Sequence, residues 1–105
     1  MSGEHRSGGP FLIEVFVPGL DAAGAARMVE AMQHAAVRLS AAGTDISWRG
    51  AFYLPGQFRC LALLDADSAS VAQDVGDIAG LSTAVVHRVQ RLDVREPGPV
   101  SRLGS

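Results

Sequence analysis

Apolar residues follow two rhythms along this chain, and the switches between them mark out six segments. Phe11-Leu12-Ile13-Glu14-Val15-Phe16-Val17 is a short run rich in β-branched and aromatic residues, closed by Pro18-Gly19. It reads as a strand buried on both faces, with Glu14 its one charge. Asp21 then stands where a helix needs an acceptor for its first free N–H groups. Ala25, Met28, Met32, Ala35 or Ala36, and Leu39 recur at spacings of three and four, so one apolar stripe carries the helix to about Ala42. Gly43 supplies a left-handed stop.

Period-two alternation returns over residues 46–54, placing Ile46, Trp48, Phe52 and Leu54 on one face and Ser47, Arg49, Ala51 and Tyr53 on the other. Pro55-Gly56 suits the centre of a type II turn, which predicts a hairpin into a third strand over residues 58–64. Asp67 or Ser68 caps a second, shorter helix running through Ala79 and ended by Gly80. Gly76 weakens that helix by about 1 kcal/mol relative to Ala. Residues 84–92 make a fourth strand. Residues 1–9 and 95–105, dominated by Gly, Ser and Pro, read as flexible tails around an ordered domain over 10–94.

The order βαββαβ predicts an α+β domain of the ferredoxin-like kind: a four-stranded antiparallel sheet with two helices on one face and the other face uncovered. If Phe11, Ile13, Val15 and Val17 point to the helices, Leu12, Glu14 and Phe16 point to the open side. Large apolar residues there cost about 25 cal/mol per Å² left in water. The expectation is therefore a homodimer packed sheet to sheet, a dimeric α/β barrel.

Composition sharpens this picture. The chain has 105 residues, enough for one domain, with 48% hydrophobic residues. Its mean hydropathy of +0.19 is high for so small a chain, which again favours a second copy as cover. The net charge of −2 and the lack of a basic face exclude a nucleic-acid partner. No apolar run approaches the roughly 20 residues that span a bilayer, and the first ten residues hold no apolar segment. The expected site of action is the cytoplasm, with no membrane partner. One cysteine, Cys60, excludes an intrachain disulfide and the multi-cysteine zinc patterns.

No multi-residue catalytic motif is present, so the candidates are single residues. Glu14 on a central strand is either an acid/base or ligand carboxylate, or a rim Glu paired across strands with Arg88 or Arg59. His87 in the last strand can move a proton or ligate a metal; its bland alternative is a hydrogen-bonded core or interface histidine. Glu30 and His34, four apart on the first helix, share a face and can supply two metal ligands, or form an exposed salt-bridged surface with Arg27 and Arg38. His5 falls in the tail. Cys60 alternates with apolar residues and reads as a small buried hydrophobe, or as a thiolate if a basic group adjoins it. Trp48 reads as core, and Tyr53 with Arg49 on the opposite face as the better pocket or interface pair.

Ile46-Ser47-Trp48-Arg49-Gly50-Ala51-Phe52, the strand holding Cys60, Asp65-Ala66-Asp67-Ser68, Gly80 before a strand containing Val89, and Pro18-Gly19 after the first strand resemble the small bacterial nickel-binding ferredoxin-like proteins. The resemblance covers residues 11–93 and implies the βαββαβ fold, a homodimer and divalent nickel. Gln73-Asp74-Val75-Gly76 stands where that family carries a Glu-His pair. Two functions follow as expectations, beside a purely structural one as a non-catalytic dimeric module that binds a partner or a metabolite. One is a homodimeric protein binding nickel or another divalent metal through His87, Glu14, His34 and Glu30. The other is an enzyme without organic cofactor, of the monooxygenase, cyclase or isomerase type, acting on an apolar small molecule with Glu14 or His87 as acid/base and Trp48, Tyr53, Arg88 and Cys60 about the pocket.

Overall fold

A computed structural model of the chain describes residues 8–92; residues 1–7, with His5, and 93–105, which hold most of the two expected tails and the end of the expected domain, lie outside the described residues. Six elements follow in the expected order: β1 (Gly9–Phe16), α1 (Ala22–Ala41), β2 (Ile46–Leu54), β3 (Arg59–Ala66), α2 (Ala69–Ile78) and β4 (Val85–Arg88). The strands form one antiparallel sheet in the order β2-β3-β1-β4, so β1 and β3 are central, as a ferredoxin-like α+β domain requires. Both helices pack against one side of that sheet.

Local chemistry sets the element ends. The Asp21 carboxylate accepts from the Gly24 N–H at 2.8 Å and starts α1. Ser68 rather than Asp67 caps α2, its hydroxyl accepting from the Val71 N–H. Between β2 and β3 the Gln57 N–H donates to the Leu54 carbonyl across Pro55-Gly56, with Gly56 at φ 82°, which is the type II turn expected there.

The core lies between sheet and helices. Phe11, Ile13 and Val15 of β1, and Cys60, Ala62, Leu64 and Ala66 of β3, meet Ala25, Met32, Ala35 and Ala36 of α1 and Ala72 and Val75 of α2. The strict alternation in β1 and β3 sends Leu12, Glu14 and Phe16 to the other side, as the pattern predicted. Gly76 has a packing role. A Cβ there would lie 3.2 Å from the Ala84 Cβ, so glycine lets α2 approach the segment entering β4.

Two expectations are corrected. The fourth strand spans only Val85–Arg88, not residues 84–92. The two faces of β2 also exchange partway along. Trp48 pairs with Leu64 but Gly50 pairs with Leu63, so the strand bulges at Arg49 and everything after it turns over. Ala51 and Tyr53 therefore face the helices, while Phe52 and Leu54 join the open side. Trp48 and Tyr53 share the helix-facing side instead of opposing each other, and both pack against the core. The Tyr53 hydroxyl donates to the Leu20 carbonyl at 2.8 Å, tying β2 to the turn before α1.

Candidate functional site

The open face can be laid out from the strand registers. Reading across β2, β3, β1 and β4, one row holds Gly50, Leu63, Leu12 and His87, and the next holds Phe52, Leu61, Glu14 and Val85. A third row holds Leu54, Arg59 and Phe16, and stops there because β4 begins at Val85. Seven large apolar side chains thus surround one polar diagonal. Phe16 is 45% exposed, Phe52 58% and Val85 51%, a concentration of apolar surface on one side of the sheet.

That diagonal is the candidate site. Glu14 is half-buried on central β1, and the strands on either side deliver a basic group to each of its oxygens. His87 Nε2 lies 2.8 Å from Oε1, and Arg59 donates from Nη1 to Oε2 at 2.5 Å. Neither partner is directly opposite Glu14 in the register; both reach it along the sheet diagonal, which suits long side chains. The Arg59 guanidinium also stacks over the Phe16 ring, 5.0 Å from its centroid. The Glu14 carboxyl is held below the ordinary carboxylate value, first by the hydrogen bond with His87 and then by the charge and hydrogen bond of Arg59, against the opposing effect of burial.

The bond also orients the imidazole. In neutral His87 a carboxylate partner assigns the proton to Nε2, because carboxylate oxygens only accept. The lone pair then sits on Nδ1, and the side chain is exposed enough to present it to a ligand. A carboxylate fixing the tautomer of a neighbouring imidazole is a common way to prepare a general base.

Of the two cross-strand partners weighed for Glu14, Arg59 is the one the structure brings in. Arg88 sits on the opposite side of the sheet, over the Phe11 ring at 4.9 Å. Trp48, Tyr53 and Cys60 likewise face the helices, away from Glu14 and His87. Burial pushes the Cys60 thiol up, which disfavours a thiolate. Glu30 and His34 are exposed on α1, and Glu30 lines a groove of about 500 Å³ with Arg27, Gln33 and Tyr53. The four candidate metal ligands are thus divided two and two between opposite sides of the sheet. Among the described residues, no three His, Cys, Asp or Glu side chains are grouped to hold a metal ion.

One polar pair on the open face went unread. Arg49, carried by the bulge, donates from Nε to the Asp65 carboxylate at 2.5 Å. Gly50 beside it was the signal, since a glycine inside an alternating strand marks a bulge. No protein-family model matches this chain, and no curated protein matches it either.

Proposed function

We propose that the chain acts as a homodimer whose open sheet faces close on one another as a dimeric α/β barrel, and that the Glu14–His87 pair moves a proton on an apolar small molecule held between them. The reaction class is cofactor-independent proton transfer, as in an isomerase or a cyclase acting on an acidic C–H or O–H bond. His87 Nδ1 is the base, Glu14 orients and supports the imidazolium that forms, and Arg59 keeps Glu14 ionised. The observation that carries this reading is the 2.8 Å bond from His87 to a carboxylate whose other oxygen is already taken. Leu12, Phe16, Leu61 and Val85 around the pair supply the apolar contact surface.

The test uses 5-nitrobenzisoxazole, an apolar probe opened by abstraction of one C–H proton. The dimer is expected to open it faster than free imidazole at equal concentration. His87→Gln is expected to lower that rate by about 100-fold or more, the size of a general-base contribution. Equal rates for the parent and His87→Gln would refute the reading.

Divalent-metal binding, with nickel foremost, is the second reading, and the same pair favours it. A carboxylate oxygen and an imidazole nitrogen 2.8 Å apart can both ligate once their mutual hydrogen bond is released. Metal analysis of tag-free dimer from nickel-supplemented cells tests it directly. One ion per dimer, lost in His87→Gln, would favour the metal over the base; well under one ion would remove it.

A further inference from the structure

The open face is not uniform, and its unevenness selects how a second copy must sit. Its β2 edge is long and bulky, with nine residues and with Phe52 and Leu54 projecting. Its β4 edge has four residues and ends beside Val85, so Phe16 has no neighbour beyond it. Strands of 8, 9, 8 and 4 residues, at about 3.3 Å per residue and about 4.8 Å between strands, give a flat footprint of about 460 Å². Two copies then bury roughly 900 Å² before the relief of the side chains is counted, close to the ~1,000 Å² of a specific interface. Charge does not oppose this contact. On this face Glu14 is paired with Arg59 and His87, and Asp65 with Arg49, within one copy.

We infer that the second copy packs with its β2 over β4 of the first, so that each proton-transfer site is built by both copies, the partner's Phe52, Leu61 and Gly50 forming the roof over Val85, Glu14 and His87 respectively. This rests on the dimer proposed above and adds which residues the partner contributes. A two-fold axis running along the strands keeps each row in place and exchanges β2 with β4 and β3 with β1. The long edge then covers the short one twice. Leu54 falls into the vacancy beyond β4, Leu61 faces the carboxylate of the other copy, and Phe52 meets Val85. His87 faces Gly50, where an added Cβ would touch nothing within 4 Å in its own chain. A hollow is therefore left above the imidazole, walled by the partner's Phe52, and this hollow takes the apolar ligand. An axis across the strands would instead stack long edge on long edge and leave both short edges uncovered.

The two arrangements are separated by isotope-filtered nuclear Overhauser spectra of a dimer mixed from labelled and unlabelled full-length chains. Contacts between copies from the Phe52 ring to the Val85 methyls are expected. Phe52→Ala is expected to weaken dimerisation at least tenfold while leaving the far-ultraviolet circular dichroism of the chain unchanged, since Phe52 is largely exposed within one copy. Contacts between copies from Phe52 to Gly50, without any to Val85, would overturn the arrangement and leave the sheet-to-sheet dimer standing. A monomer by light scattering at the same concentration, or a dimer without contacts between the open faces, would overturn the arrangement and the dimer together.

Discussion

His87 and Glu14, 73 residues apart in the chain, meet at 2.8 Å across the β1–β4 pair on the uncovered side of the sheet. Because the Glu14 carboxyl is held below its ordinary value of 4.5, the folded state favours its ionised form. The resulting stabilisation is fully present above that ordinary value and disappears as pH falls through the lowered one. Denaturation midpoints followed from neutral pH to about pH 3 should therefore drop in the parent chain and drop less in Glu14→Gln, which has no proton to take up. Parallel curves for the two chains would contradict this role for Glu14.

Arg59→Met separates the charge of Arg59 from its packing. Methionine retains an apolar stem against Phe16 but removes the cation from Glu14 Oε2 and from the ring. The Glu14 carboxyl then moves up toward its ordinary value, so the acid-induced loss of stability begins at higher pH than in the parent. At neutral pH the cost should be under about 1 kcal/mol, because a partly exposed ion pair is screened by water. Following the Glu14 carboxyl carbon resonance against pH in both chains checks the direction of the shift.

Regular alternation explains what the chain's sequence disclosed. In β1 the period-two pattern is unbroken, so the placement of Phe11, Ile13 and Val15 against the helices, and of Leu12, Glu14 and Phe16 away from them, could be read directly. In β2 the same reasoning failed after Arg49, because one extra residue in a strand reverses every side chain that follows. Phe52 and Tyr53 exchanged sides for that reason alone. Glu14 and His87 were each visible as candidates. Their meeting was not, since a diagonal contact depends on the register of two strands 73 residues apart, and no local pattern encodes it. Choosing Arg59 over Arg88 needed the registers of both β3 and β4 against β1.

Tyr53→Phe tests the reversed half of β2. The hydroxyl donates to the Leu20 carbonyl, a link that exists only because the bulge turns Tyr53 toward the helices. Its removal leaves a carbonyl without that donor while the ring keeps its place against the core, so a loss of about 1 kcal/mol is expected in urea unfolding. If Tyr53 lay on the open face, as unbroken alternation has it, the substitution would be neutral.

Gly76 tests how closely α2 approaches the entry to β4. Two effects oppose each other in Gly76→Ala: alanine favours the helix by about 1 kcal/mol, but its Cβ would lie 3.2 Å from that of Ala84, tighter than ordinary contact. The single substitution should therefore change stability by less than about 1 kcal/mol, short of the full helical gain. Ala84→Gly removes the obstructing methyl group and exposes the gain. In a double-mutant cycle, Gly76→Ala should be more stabilising in the Ala84→Gly background than in the parent, by about 0.5 kcal/mol or more. Gly76→Val, whose branched side chain cannot fit against Ala84, should cost about 1–3 kcal/mol in the parent and less in that background. Additive effects throughout the cycle would mean that α2 stands further from residue 84 than the structure places it, and that Gly76 is only a weak helix former.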